Sequence, residues 1–248
     1  MRIFLHELRN QQRLFWRNRE SAVFVFVFPP MLYLLLGAVY DGRIGPFPAA
    51  DALLVGLVGY GCANTAFAGL AITLVIRREG GMLKRIRATP LAPATYLAAV
   101  LCSTLFVFIL QMLVTMALGI VLYDATGPRN WLGLGCAVLL GVAAFAGLGF
   151  GAAALIRSSE GASAVVNLIV LPMAFLSGSF GPTRSYPAFL RAISDVLPLT
   201  YLIRILKVVY LAGGSFWSQP KGIAILLAWG FAGLLIAWRR FGWEPRER

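Results

Sequence analysis

Few side chains in this sequence can do chemistry. The one histidine, His6, stands among arginines near the start. A Ser–His–Asp triad or a histidine metal centre would have to be built on that residue, which is out of place in a basic leader. His6 reads as an interfacial side chain. Cys62, Cys102 and Cys136 each lie inside an apolar run, without the paired spacing of a zinc site. They read as small buried side chains. No G-x-x-x-x-G-K-[ST] phosphate loop occurs, and the G-x-x-G-x-G ending at Gly61 lies within an apolar run, not at a strand-to-helix turn. No Asp or Glu stands mid-run, where a proton carrier or general base would sit, so none is expected to be buried. The expectation is a chain with no catalytic residue, no metal and no cofactor of its own. If it moves a solute uphill, another subunit must supply the work.

The elements that would hold such a chain together are apolar. Of 248 residues 59% are hydrophobic before the 26 glycines are counted, and only 13% are charged. A soluble domain carries roughly 25% charged residues, and with so few charges this one could not cover its surface. The net charge of +12 invites a nucleic-acid reading, but the basic residues cluster at the ends of apolar runs, the topology signature of a helical membrane protein. No nucleic-acid partner is expected. Six runs are long enough to span a bilayer, which takes about 20 residues: 22–40, 52–76, 93–123, 131–156, 162–180 and 222–241. The third is too long to stand upright and must tilt or extend into the interface. The first is too long for the apolar region of a signal peptide and no small-x-small cleavage site follows, so it reads as a retained span. With both termini cytoplasmic, fifteen Lys/Arg fall inside and seven outside, as the positive-inside bias requires. The fold class is an all-α integral membrane protein of the cell (inner) membrane. It has an amphipathic helix over 1–21, six transmembrane helices over 22–241 and a cytoplasmic tail over 242–248.

The leader and the last loop carry further structure. At 100° per residue, Phe4, Leu8, Phe15 and Trp16 share an arc with Met1 and Leu5, while Arg2, Arg9, Arg13 and Arg17 lie opposite. Ile3 and Leu14 are exceptions. That pattern is a helix lying in the inner interface, its basic face toward the headgroups of anionic membrane lipids. Residues 181–221 hold prolines at 182, 187, 198 and 220, with helical apolar spacing between them. Each apolar piece is about half a bilayer long, so they read as a re-entrant outer helical hairpin before the last span. A seventh span there would bury Arg204 and Lys207. Gly147 and Gly151, four apart, allow close helix approach in lipid.

The most specific stretch lies between the second and third spans, over 77–91. Met82, Leu83 and Ile86 fall on one side of a short helix, with Lys84, Arg85 and Arg87 around the rest, and Pro90 ends it. A helix this short is marginal alone. Pattern alone leaves two readings: an apolar knob for a partner's groove, or a basic anchor loop without a partner.

This stretch resembles the coupling segment of the ABC transporter type-2 permease family, whose members carry a run like R-E-x-G-T-L-K-R-L-R-A-T-P-L. Here the run is Arg78-Glu79-Gly80-Gly81-Met82-Leu83-Lys84-Arg85-Ile86-Arg87-Ala88-Thr89-Pro90-Leu91. It departs at Gly81-Met82, where many members have Gly-Thr. Leu176-Ser177-Gly178-Ser179-Phe180-Gly181-Pro182, followed by Leu197-Pro198-Leu199-Thr200-Tyr201, is similar to the family's small-residue break and L-P-x-T-Y. The order of elements matches along nearly the whole chain.

The resemblance implies a two-fold dimer with a second permease copy or paralogue. It also implies a cytoplasmic ABC ATPase subunit that binds Mg-ATP. The leader and residues 79–88 would dock on that ATPase. Glu79 and Lys84 would be rim charges, Gly80 and Arg85 would belong to the same contact, and Met82, Leu83 and Ile86 would form the seated tip. ATP can bias the membrane body only through contacts that differ between its two states. Along the spans, Asn64, Thr65, Gln111, Thr115 and Asn167 are the candidates to line a translocation path, their alternative being hydrogen bonds between helices. Such a path suits an amphipathic drug, lipid or glycan-lipid. Phe180, Pro182, Phe189, Pro198 and Tyr201 are candidates for an outer gate. Arg184, Arg191, Asp195 and Arg204 either gate the outer mouth or mark the water interface. The competing functions are a secondary transporter or channel, which would want an intramembrane carboxylate, and a membrane enzyme or scaffold.

Overall fold

The computed structural model describes residues 2–40, 42–88, 91–183 and 186–244. The chain opens with α1 (Arg2–Arg17), and Asn18 caps the next helix by accepting from Ser21 N at 3.2 Å. That helix, α2 (Arg19–Val39), begins three residues before the expected span. A two-residue hairpin, β1 (Arg43–Ile44) with β2 (Phe47–Pro48), leads into α3 (Ala49–Ala63). A π-helical turn over Asn64–Gly69 joins α3 to α4 (Leu70–Glu79), and the three make one continuous span of 31 residues. After a bend comes α5 (Met82–Arg87), then the 31-residue α6 (Pro93–Tyr123). The four that follow are α7 (Trp131–Leu155), α8 (Ser159–Leu176), α9 (Ala188–Ser194) and α10 (Pro198–Leu206). A second π turn over Lys207–Ala212 extends α10, a 3-10 turn covers Phe216–Ser218, and α11 (Pro220–Arg240) closes the bundle.

Six helices among the described residues are long and apolar enough to cross a membrane. They correspond one to one to the six expected runs, with ends moved by up to four residues. The protein is a multi-pass, all-α membrane protein. Six crossings put the start of α2 and the end of α11 at one end of the bundle. Contacts agree: Lys84 Nζ lies 4.0 Å from Glu244 Oε1, and the rings of Tyr96 and Trp243 are 6.5 Å apart.

The α3–α4 span is the hub, buried over 94% of its most apolar window, whereas α2 and α11 are buried over 22%. The hub is therefore surrounded by protein and the outer helices are left for lipid. Small residues set the closest crossing, between α7 and α11. A Cβ on Gly147 would lie 2.5 Å from the Gly230 carbonyl oxygen, and one on Gly151 would lie 2.8 Å from that of Gly233. Only glycine permits the two backbones to touch there.

Two expectations about burial fail. Asp51 is buried (4% exposed), because α3 begins at Ala49 and the 124–126 loop folds over its first turn. Asp51 Oδ1 accepts from Thr126 N at 2.7 Å and Oδ2 from Thr126 Oγ1 at 3.1 Å. This carboxylate ties down a loop at the end of a span and is fully engaged in doing so. Cys102 is exposed, because it stands on a face of α6 that its neighbours leave open; Cys62 is buried and Cys136 half-buried.

Candidate functional site

The residues singled out on α1, α4 and α5 converge at the end of the bundle where α2 begins and α11 ends. Gly81 makes the bend, with φ +69°, a left-handed conformation that costs glycine little. The bend turns α5 back onto the bundle. Leu83 is completely buried, where the sequence suggested an outward knob. Its apolar neighbours inside the same chain take it up. Ile86 is half-buried and packs against the core, and Met82 alone of the three is exposed, at 38%. Lys84 stands at the surface near Glu244, and Arg85 is exposed. Thr89 and Pro90 lie outside the described residues.

The α4–α5 bend is anchored by a residue that sequence reasoning did not single out. Arg78 is fully buried. Its Nη1 donates to Ala153 O at 2.7 Å, its Nη2 to Ile156 O at 2.6 Å and its Nε to Glu79 Oε1 at 2.8 Å. Ala153 and Ile156 close α7, where the last carbonyls have no partner within the helix. A cation there also complements the helix dipole. Glu79, expected as a rim charge, instead pairs with Arg78, its side chain 17% exposed. Arg77 points the other way. Its Nη1 donates to Gln11 Oε1 at 2.6 Å and to the Tyr96 hydroxyl at 2.9 Å.

The leader is thereby joined to the same unit. Gln11 Nε2 donates to Glu7 Oε1 at 2.5 Å, and Gln12 Nε2 donates to Ser103 on α6, to Oγ at 2.9 Å and O at 3.2 Å. The amphipathic reading placed the contacts of α1 on Phe4, Leu8, Phe15 and Trp16. Phe4, Leu8 and Phe15 are half-buried, and Trp16 stacks on Phe26 at 5.3 Å. The polar seam of Gln11 and Gln12 carried no sequence signal, because glutamines beside arginines look like part of a solvated face. Arg9 and Arg13 are exposed.

A cavity of about 670 Å³ opens among α1, α2, the hub, α6 and α8. Three of the five path candidates line it: Asn64 and Thr65 from the π turn, and Asn167 from α8. A π turn inserts a residue into the helix and re-aims the side chains it carries. Phe24 contributes an apolar wall, and Arg77 and Met82 bring the α4–α5 bend to the same cavity. The other two candidates are elsewhere. Gln111 and Thr115 are fully buried and bonded to each other, Gln111 Nε2 donating to Thr115 Oγ1 at 3.1 Å. A Cβ on Gly61 would clash with the Gln111 side chain, so this pair seals α6 against the hub.

At the opposite end, the expected gate residues divide. Phe180 is half-buried with its ring 5.1 Å from Tyr60. Pro198 and Tyr201 are buried in α10, where the Tyr201 hydroxyl donates to Asp195 O at 2.8 Å. Pro182 and Phe189 are exposed. Asp195 and Arg204 form an exposed ion pair at 2.5 Å, and Arg184 lies outside the described residues. Trp229 Nε1 donates to Val196 O at 3.0 Å. Trp229 stands nine residues into α11, about 14 Å along its axis.

The arrangement is a polytopic bundle with a cavity lined by both polar and apolar side chains, and a short surface helix whose bend reaches that cavity. The chain belongs to the ABC-2 type transporter family, whose signature it matches over residues 4–211. It is similar to YvfS of Bacillus subtilis, which carries the name of a transport permease, with 24% identity over 223 residues and 89% of each chain covered. It is also similar to the inner membrane transport permease YhhJ of Escherichia coli and its Shigella flexneri counterpart. Each is 28% identical over 171 residues, which is 68% of this chain and 45% of theirs.

Proposed function

We propose that this chain is the membrane-spanning subunit of an ATP-driven exporter in the cell membrane, with both termini cytoplasmic. A separate ABC ATPase binds Mg-ATP and docks at the α1–α5 end, and a second permease copy or paralogue completes the translocation path. The cargo is amphipathic: a drug, lipid or glycan-lipid. One observation carries the reading. The α4–α5 bend presents an exposed Met82 at the surface and, through Met82 and Arg77, forms part of the wall of the cavity that holds Asn64, Thr65 and Asn167. A push on α5 therefore reaches the cavity through one rigid unit, anchored on α7 by Arg78. That is the differential contact through which a nucleotide-driven partner acts. The depth of Val196 beside Trp229 supports α9 and α10 as a re-entrant pair, with Asp195 and Arg204 facing water or protein in place of lipid.

The test is co-purification of the tagged chain in mild detergent after co-expression with its neighbouring genes. An ATPase is expected with the wild type and with Met82→Leu, and is expected to be lost with Met82→Asp while the chain stays monodisperse and helical. Leu83→Asp is the wrong probe, because it puts a charge in the core. A folded chain that never brings an ATPase refutes the proposal, and ion-driven transport then becomes the reading to test.

A further inference from the structure

Between α1 and α6 runs an open groove of about 570 Å³ that the transport reading leaves unused. Its floor is Cys102, Leu105, Phe106 and Ile109 of α6, and its rim is Arg9 and Arg13 of α1. The floor is almost wholly apolar. The rim arginines are four apart and so lie side by side on the helix. Among the described residues the side chain of neither makes a hydrogen bond or ion pair, while Glu7, the acidic side chain of α1, is held by Gln11.

The floor of the groove runs through most of one leaflet of the hydrocarbon core. A 31-residue α6 is about 46 Å long, against a hydrocarbon core of about 30 Å. Centred in it, α6 overhangs by about 8 Å at each end. Cys102, nine residues from Pro93, then lies about 6 Å below the hydrocarbon boundary, and Ile109 lies near the midplane. The arginines flank Gln12, which bonds Ser103 about 7 Å below that boundary, a depth from which a long arginine side chain reaches the headgroups. Paired cations at headgroup level over an apolar channel running to the midplane are complementary to one ligand chemistry: an acylated phosphate diester of net negative charge, whose headgroup carries no cation to repel the arginines.

We propose that this groove is a specific site for one anionic phospholipid. Its phosphate sits between Arg9 and Arg13, and one acyl chain lies along Cys102, Leu105, Phe106 and Ile109. The bound lipid fills the gap between leader and span, and so holds α1 against α6 beside the Gln12–Ser103 hydrogen bonds. The site does not depend on what the chain transports. It differs from a general attraction of the basic face to anionic membranes in having one lipid per chain and an apolar pocket for its tail.

The experiment is native mass spectrometry of the full chain in mixed micelles containing either phosphatidylglycerol or phosphatidylcholine with the same acyl chains. Retention of one phosphatidylglycerol per chain is expected, in preference to phosphatidylcholine. Each arginine near an anionic surface contributes about fivefold in affinity, about 1 kcal/mol. Arg9→Gln with Arg13→Gln is therefore expected to weaken retention by about 25-fold. The exposed thiol of Cys102 gives a second readout from the floor of the groove. Its alkylation by a maleimide is expected to slow in phosphatidylglycerol relative to phosphatidylcholine, and the double variant is expected to lose that difference. Equal retention of the two lipids overturns the proposal, as does full retention by the double variant. Displacement of phosphatidylglycerol by inorganic phosphate, with Cys102 unprotected throughout, also overturns it, since the site would then recognise phosphate alone.

Discussion

Replacing Arg78 tests whether the α4–α5 bend is a rigid extension of the bundle. Its guanidinium makes two hydrogen bonds to the last carbonyls of α7 and one to the Glu79 carboxylate, all between 2.6 and 2.8 Å, with no exposure to solvent. Hydrogen bonds from a charged donor contribute about 1.5–3 kcal/mol each, so the two carbonyl bonds alone account for about 3–6 kcal/mol. Glu79, the member left stranded, keeps a side chain 17% exposed, so its unpaired charge adds little, and Arg78→Met is expected to lose about 3–6 kcal/mol. Arg78→Lys should lose less, because an ammonium keeps the charge but cannot fork between two carbonyls and a carboxylate. The assay is equilibrium unfolding in mixed dodecyl maltoside and SDS micelles, followed by tryptophan fluorescence. Hydrogen exchange is expected to quicken in α5 and in the last turn of α7 together. Arg78→Met with Glu79→Met should be only slightly less damaging than Arg78→Met alone, since no carboxylate is then left unpaired. A loss under about 1 kcal/mol for Arg78→Met would refute the reasoning, and so would exchange that quickens in only one of the two segments.

Other consequences are as direct. Gly147→Val pushes a side chain into the Gly230 backbone and is expected to cost at least about 1–3 kcal/mol, read by the same unfolding assay. Asp51→Ala removes both acceptors of Thr126, with an expected loss of about 1–3 kcal/mol and faster exchange at the Thr126 amide. Asp195→Asn breaks an ion pair whose side chains are about half exposed, and should change stability in detergent by less than about 1 kcal/mol. Asn64→Leu with Asn167→Leu, both facing the cavity, should leave unfolding nearly unchanged while altering cargo-stimulated ATPase activity of the assembled transporter.

The six spans were legible because a bilayer imposes one requirement, a long apolar run, that composition alone reveals. Glycine spacing likewise pointed to Gly147 and Gly151 before their partners Gly230 and Gly233 were known. What could not be read was which member of a set of similar residues is the special one. Arg78 is one of five basic residues between Arg77 and Arg87, and nothing in their order says that it alone is buried. Leu83 and Met82 are adjacent and both apolar, yet the bend at Gly81 turns one inward and leaves the other outside. Polarity within a span is the sequence rule for a path residue. That rule cannot separate Asn64, at a cavity, from Gln111, sealed in an interface, because both are amides in apolar runs. The π turn was invisible for a related reason: an extra residue in a uniformly buried helix leaves no break in the hydrophobic pattern.

That π turn has a consequence for how the chain tolerates change in length. A π turn is an α-helix that has taken in one additional residue. Deleting Ala68, within Asn64–Gly69, lets the span close up as plain α-helix with α3 and α4 keeping their places. Deleting Ile72, only four residues further on, offers no such slack. Everything beyond it rotates by about 100° and retreats by about 1.5 Å, and Arg78 swings away from the end of α7. Two deletions of equal size in one helix should therefore have opposite fates: the first yields a stable chain with a reshaped cavity, and the second reproduces the instability of Arg78→Met.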